Sequence, residues 1–133
     1  MSIIDGMSAA GMGMQAQAAR LNAISGNIAN MDTVASNEKE SFKALMVNFK
    51  TVNVGGAQGV VATHTTTSTA PSVAIYAPNN PFADEFGYVY GSNVNRAEQL
   101  VDLASAEQSY KANANVAKTL KDLALQSIKS IRE

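Results

Sequence analysis

The amino-acid sequence predicts a mainly α-helical fold with a small β insertion. Apolar residues recur every seven positions at both ends of the chain, and residues 97–131 contain neither Gly nor Pro. Between these ends, β-branched residues and turn-forming Pro and Gly are concentrated. We therefore expect long N- and C-terminal helices that pair like a coiled coil, with an irregular β-hairpin region between them. The expected domains are an N-terminal helix at 1–31, a β-rich insertion at 32–95 and a long C-terminal helix at 96–133.

The N-terminal helix is predicted from a heptad repeat of largely apolar side chains. One heptad position holds Met7, Met14, Leu21 and Ile28, and the position three residues later holds Ala10, Gln17, Ile24 and Met31. We assign helix packing and assembly to Met14, Leu21, Ile24 and Ile28. Gly6, Gly11 and Gly13 each weaken the helix by roughly 1 kcal/mol relative to Ala. The helix is therefore expected to be unstable in isolation.

The middle of the chain is predicted to form short strands. Residues 44–49 and 60–67 have the apolar and β-branched character of strands, and Gly55-Gly56 breaks the chain between them. A further short strand is expected at 73–76. Tight turns around a small hairpin are then indicated by Pro and Gly placed among aromatic residues, namely Pro78, Pro81, Gly87 and Gly91.

The C-terminal helix has the most regular apolar pattern in the chain. One row repeats every seven residues at Leu103, Tyr110, Ala117, Ala124 and Ile131. A second row follows three residues later at Ala106 and Leu120, and four residues later at Ala114 and Ile128. We assign helix packing and assembly to Leu103, Tyr110, Ala117, Leu120 and Ile128.

The length of this helix indicates assembly with other chains. Thirty-five helical residues span roughly 50 Å, whereas a compact globule of 133 residues is only about 35–40 Å across. The terminal helices are therefore expected to project. Two helices cannot enclose both apolar stripes, and their Ala residues contribute little burial each. We expect the stripes to pack against neighbouring subunits, and the ends of an isolated monomer to be poorly ordered.

The composition argues against several classes of function. A formal net charge of −1 disfavours a nucleic-acid partner, which requires clustered Lys and Arg. The chain has no Cys and one histidine, His64, with no second ligand or nucleophile at a recognisable spacing. We therefore expect no catalytic residue, metal ion or cofactor. No stretch approaches the roughly 18 apolar residues of a membrane span. No basic residue precedes Arg20, so a cleaved signal peptide is not expected.

A polar motif follows the apolar pattern at the end of the first helix. Residues 25–33 read SGNIANMDT. Asn27 and Asn30 tolerate the left-handed conformation that ends many helices. Asp32 or Thr33 can hold the following turn through side-chain hydrogen bonds. A helix C-cap is therefore one sufficient interpretation of the motif.

The motif also resembles the S-x-N-[IL]-A-N-x-x-T signature of the flagellar axial protein family, which comprises rod, hook and related basal-body subunits. Asn30 and Thr33 match its most characteristic positions, and Asn27 matches its first Asn. Residues 87–95 resemble the segment that marks the proximal rod proteins of this family. The matching residues in that segment include Gly87, Tyr88, Asn93 and Val94.

The resemblance implies a structural subunit of the bacterial flagellar proximal rod rather than an enzyme. Members of the family are exported by the flagellar type III apparatus without a cleaved signal peptide. They assemble in the periplasm, with themselves and with other rod subunits, into a torque-transmitting drive shaft. Their terminal helices pair as a coiled coil, and the β-rich insertion faces outward. By this resemblance, Asn27, Asn30 and Thr33 end the first helix and orient the turn into the insertion.

Two alternatives stay open on the residues alone. A soluble helical adaptor or export chaperone that binds a partner helix would show the same stripes, and this alternative predicts a stable, discrete dimer or heterodimer in the cytoplasm. An enzyme would need a polar constellation, for which substitution of His64 is the simplest test. Fractionating cells into basal bodies and cytosol distinguishes a rod subunit from an adaptor.

Overall fold

The computed structural model describes residues 2–133 and contains two long helices with five strands between them. Helix α1 spans Ile3–Asn30 and helix α2 spans Arg96–Arg132. The strands are β1 (Val34–Ala35), β2 (Leu45–Val54), β3 (Ala57–Thr67), β4 (Ala74–Tyr76) and β5 (Tyr88–Gly91). The prediction of two long terminal helices with a small β region is confirmed. Their pairing as a coiled coil stays a prediction.

The chain divides into two compact units, each built from separate stretches of sequence. The first unit comprises the chain through Leu21 together with residues 47–64 and 104–133. The second unit comprises residues 22–46 and 65–103. Each unit therefore contains part of both helices. The division into domains at 1–31, 32–95 and 96–133 stays a prediction.

In the first unit, α1 and α2 approach each other closely at two glycines. A Cβ atom added to Gly6 would lie 3.0 Å from Leu120 Cδ1, and one added to Gly13 would lie 2.8 Å from Asn113 Nδ2. The two glycines are seven residues apart, and their partners are seven residues apart in the reverse order. The helices are therefore antiparallel here, and the glycines that weaken α1 alone permit this approach.

Small buried side chains fill the core of the first unit. Ala10 and Ala16 of α1 are 5% and 1% exposed, and Ala106 of α2 is fully buried. Alanine brings helix backbones close together but removes little apolar area from water. The packing of this unit therefore depends on close helix approach more than on large side chains.

The β2–β3 hairpin of the chain turns at two glycines. Gly55 and Gly56 have φ angles of 55° and 96°, and two successive positive φ values are what a type I′ hairpin turn requires. The beginning of β3 packs on α1, because a Cβ on Gly59 would lie 2.6 Å from Met12 Sδ. The predicted strand, break and strand are thus confirmed.

The second unit contains a three-stranded antiparallel sheet in the order β1-β5-β4. Val34 pairs with Gly91 on one side of β5, and Ile75 pairs with Val89 on the other. Val89 lies on the central strand and is only 1% exposed. This confirms the small hairpin predicted around the Pro- and Gly-rich segment.

Side chains cap the N-termini of both helices. Ser2 Oγ accepts from the Asp5 backbone N–H at 3.1 Å, and Asp5 Oδ2 accepts from the Ser2 N–H at 3.1 Å. That backbone hydrogen bond from Ser2, with a further one from its side chain, lowers the pKa of Asp5. Asn95 Oδ1 accepts from the Glu98 N–H at 3.3 Å at the start of α2. Over residues 2–133, neither helix combines the length and the apolar character needed to cross a membrane.

Substitution of Gly13 by Ala tests the close approach of the helices. Its Cβ would press against the Asn113 side chain, so we expect this contact to cancel the gain in helix propensity and to leave the free energy of unfolding unchanged or lower by up to about 1 kcal/mol. Gly11→Ala is the matched control, because no atom lies within 4 Å of its Cβ position. It should raise stability by about 0.5–1 kcal/mol through helix propensity. Urea denaturation followed by circular dichroism measures both, and equal effects would contradict the close approach.

Candidate functional site

The polar motif at the end of α1 forms a buried hydrogen-bonded junction in the second unit. Asn27 is 1% exposed. Its Oδ1 accepts from the Leu45 backbone N–H at 2.7 Å, and its Nδ2 donates to the Leu45 carbonyl at 3.0 Å. The same Nδ2 donates to Gln99 Oε1 at 3.0 Å. Asn27 therefore joins α1, the start of β2 and the first turn of α2.

The predicted left-handed C-cap at Asn27 and Asn30 is wrong. No residue other than Gly has a positive φ angle anywhere in residues 2–133. Asn27 points from the last turn of α1 into the junction, and Asn30 Nδ2 donates to the Gly26 carbonyl at 2.9 Å. Because Asn27 and Asn30 are both engaged in these bonds, neither adopts the left-handed conformation.

Thr33 ends the helix instead. The Asn30 carbonyl accepts from the Thr33 backbone N–H at 3.2 Å and from the Thr33 hydroxyl at 2.8 Å. Two donors on one carbonyl let the chain leave the helix without a left-handed residue. The predicted role of Thr33 in holding the turn is confirmed.

Ser92 and Asn93 tie the segment before α2 to the same region. Ser92 is 6% exposed, and its hydroxyl donates to the Met31 carbonyl at 2.6 Å. Asn93 Oδ1 accepts from the Ala44 N–H at 2.7 Å, and its Nδ2 donates to the Ala70 carbonyl at 2.8 Å. Val94 follows and is half-buried. The two side chains thereby anchor three separate chain segments.

Gly87 and Tyr88 shape the connection between β4 and β5. Asp84 Oδ1 accepts from the backbone N–H groups of Phe86 and Tyr88 at 2.9 and 2.8 Å. Gly87 has a φ of 83°, and a Cβ there would lie 3.0 Å from Tyr76 Cε2. The rings of Tyr76 and Tyr88 meet edge to face at 5.3 Å. Only Gly fits this position, and the Asp84 carboxylate is occupied by the turn.

The residues assigned to helix packing have different degrees of burial. Ile24 is buried and Ile128 is 52% exposed. The others are half-buried, namely Met14, Leu21, Ile28, Leu103, Tyr110, Ala117 and Leu120. The observed approach at Gly6 and Gly13 lies one residue before the Met7–Met14 row, which is about 100° around the helix. The roles of these residues in assembly stay predictions.

Sequence reasoning missed Gly6, Gly13, Ser92 and Gln99 as contributors to the structure. The seven-residue spacing of the two glycines was the available signal, because small residues at one helical position mark a close helix contact. Nothing local in the sequence links Gln99 with Asn27, since 72 positions separate them.

Large apolar side chains remain exposed on α2. The least covered is Ile131, which is 84% exposed. Others on this helix are at least 46% exposed, namely Leu100, Val101, Val116, Leu123, Leu125 and Ile128. At about 100° per residue these side chains lie all around the helix, but Leu125, Ile128 and Ile131, each three residues from the next, share one face near its end. An exposed apolar face of this kind marks an interaction surface. This exposed face of α2 and the junction are therefore the two candidate functional features.

The polar residues considered for chemistry do not converge. His64 is exposed, and its carbonyl accepts a long bond of 3.5 Å from Asn48 Nδ2. Within residues 2–133, no group of three His, Asp or Glu side chains is placed to hold a metal ion.

Comparison with known proteins gives matches at both ends of the chain and over nearly its whole length. Residues 7–35 match the family model described as flagella basal body rod protein, and residues 86–130 match that of the flagellar basal body rod FlgEFG protein C-terminal region. The flagellar basal-body rod protein FlgC of Escherichia coli O6:H1 is 35% identical over 130 residues, covering 96% of this chain and 97% of the relative. FlgC of Salmonella typhimurium is 34% identical with the same coverage, and FlgC of Aquifex aeolicus is 31% identical with 92% coverage of each chain.

Substitution of Asn27 by Ala tests the junction. It leaves the backbone groups of Leu45 and the amide of Gln99 without partners in a buried site. We expect a loss of about 2–4 kcal/mol in the free energy of unfolding. Asn22→Ala, at an exposed position five residues earlier on α1, should cost less than about 0.5 kcal/mol. A loss at Asn27 no larger than that at Asn22 in chemical denaturation would contradict the assigned bonds.

Proposed function

The chain belongs to the family of flagellar basal-body rod proteins FlgC, and we propose that it is a subunit of the proximal rod that polymerises through its terminal helices. Its relatives are structural rod proteins and not enzymes. The proposed location is the flagellar basal body, and the proposed partners are copies of the chain and other rod subunits. The polymer would form the tubular drive shaft that transmits torque.

The exposed apolar face of α2 is the observation that carries this proposal. Leu125 and Ile128 are 48% and 52% exposed and Ile131 is 84% exposed. Burying each of these side chains in an interface would contribute about 1 kcal/mol or more. A structural subunit needs such surface, because many equivalent contacts must hold the polymer together.

The junction suits a subunit under mechanical load. Asn27 and Gln99 join α1 and α2 through a buried side-chain hydrogen bond, and Ser92 holds the end of α1. Buried polar bonds of this kind fix one geometry, because any displacement leaves unpaired groups. We propose that the junction sets the angle at which the chain leaves both helices.

Export in an unfolded form through the flagellar type III apparatus, without a cleaved signal, is part of the proposal. Gly6, Gly11 and Gly13 lower the intrinsic stability of α1. A helix of low intrinsic stability unfolds readily and gains its order in the polymer. Pairing of the terminal helices as a coiled coil belongs to the same proposal.

Leu125→Asp tests the role of the exposed face in assembly. Leu125 is 48% exposed, so the substitution should leave the monomer folded while placing a charge in the interface. We expect the variant to be exported but absent from purified basal bodies in a strain that carries no other copy.

Gln126→Asp is the matched control, since it adds the same charge at the next, exposed polar position of α2. It should incorporate normally. Normal amounts of the Leu125 variant in basal bodies would contradict the proposed interface. Recovery of the unaltered chain only as a discrete cytoplasmic dimer would contradict the rod function and support an adaptor.

A further inference from the structure

The register of the helix pair in the first unit leaves the end of α2 without a partner on α1. Gly6 lies opposite Leu120 and Gly13 opposite Asn113, so the first residue of α1, Ile3, falls opposite Leu123. Residues 124–132 of α2 therefore continue for nine residues, about 13 Å, past the start of α1. We call this segment the α2 overhang.

The overhang is apolar on one side and basic at its end. Every residue from Leu125 to Glu133 is exposed. Ile128 and Ile131 are three residues apart and share a helix face. Lys129 and Arg132 lie in the last turn of α2. The segment thus presents two large aliphatic side chains beside two cations.

A groove lined by small residues lies elsewhere in the same unit. Its walls include Gly6, Ala9 and Gly13 of α1, Val116 of α2 and Val60 of β3. It is an open groove with a volume of about 330 Å³, and the polar side chains of Gln58 and Asn113 also line it. The groove can therefore accept two aliphatic side chains of a partner helix.

A polar atom in the groove lacks a donor. Gln17 also lines it, and the Oε1 atom of Gln17 is buried with no hydrogen-bond partner among the described residues. An unpaired buried acceptor costs about 1–3 kcal/mol. None of the side chains that line the groove is charged, so Gln17 Oε1 is the feature that calls for a donor. A partner helix with hydrogen-bond donors beside its aliphatic side chains complements the groove.

We propose that the α2 overhang of a second copy of the chain docks in this groove, with Ile128 and Ile131 in the cavity and Lys129 or Arg132 donating to Gln17 Oε1. The proposal rests on the rod function and identifies the surfaces by which one copy holds the next. The groove and the overhang are different surfaces of one chain, so the contact is heterologous. Repetition of such a contact generates an open helical array rather than a closed dimer.

The overhang cannot fill the groove of its own molecule. In the helix register Ala9 lies opposite Ala117, and Ile128 is eleven residues further along α2, about 16 Å away. A disulfide requires Cα atoms within about 7 Å. A cross-link between positions 9 and 128 would therefore report contact between two copies.

Cysteine cross-linking tests the docking, and the chain has no Cys to interfere. Two single variants, Ala9→Cys and Ile128→Cys, are mixed under mild oxidation. We expect a disulfide-linked pair to form at least roughly tenfold faster in this mixture than in one where Val101→Cys replaces Ile128→Cys. The reason is that docking raises the effective concentration of the thiols. Val101 is the matched control, since it is an apolar residue of α2 that is 69% exposed and outside the overhang. Equal rates for the two mixtures would overturn the proposal.

The variant with both Ala9→Cys and Ile128→Cys separates this proposal from the rod function. In purified basal bodies it should give a ladder of cross-linked multimers on non-reducing gels. Basal bodies that contain the variant but yield only monomer would overturn the docking and leave the rod function standing. Ala9→Leu fills the groove and should prevent incorporation into basal bodies, although the circular dichroism of the variant matches that of the unaltered chain. Normal incorporation of this variant would also overturn the docking.

Discussion

The close approach of α1 and α2 at two glycines is the constraint on which the helix pair of the first unit depends. A Cβ atom added at Gly6 would displace the Leu120 side chain, and one added at Gly13 would displace the Asn113 side chain. Two contacts with matching seven-residue spacing disfavour a shift of one helix along the other, because a shift places a larger side chain of α1 opposite Leu120 or Asn113. The register then fixes which residues of α2 have a partner and which do not.

A buried hydrogen bond joins the two helices in the second unit. Asn27 Nδ2 donates to Gln99 Oε1, although 72 positions of sequence separate the two residues. The contacts at Gly6 and Gly13 in the first unit are steric, whereas the Asn27–Gln99 contact is a hydrogen bond. Apolar burial alone would not specify these contacts, since the buried core residues are mostly Ala. Shape and hydrogen bonding, rather than hydrophobic area, therefore determine how these helices pair. Exposed apolar area remains available for association with other chains.

Much of the fold could be read from the sequence, because its elements have strong local signals. Three local features determine the helices, the helix length and the turn. They are the heptad rows, the absence of Gly and Pro from 97–131, and Gly55-Gly56 with its two positive φ angles. The sequence did not predict which face of α1 meets α2. Apolar periodicity detects only rows of large side chains, and the glycines at this contact have no side chain. The left-handed cap was also wrong, since the tertiary partner Leu45 and the local donor Thr33 engage Asn27 and Asn30. Those partners follow from the fold and not from the neighbouring sequence.

The helix register leaves one end of α2 to be covered by neighbouring subunits. Amide hydrogen exchange tests this most directly when it is measured by mass spectrometry on the dilute monomer and on assembled rods. Residues 124–132 should exchange without protection in the monomer, while residues 103–120, whose inward side includes the buried Ala106 and the half-buried Asn113 and Leu120, are slowed. In assembled rods the same nine residues should become protected. Protection of residues 124–132 in the dilute monomer equal to that of 103–120 would contradict the account.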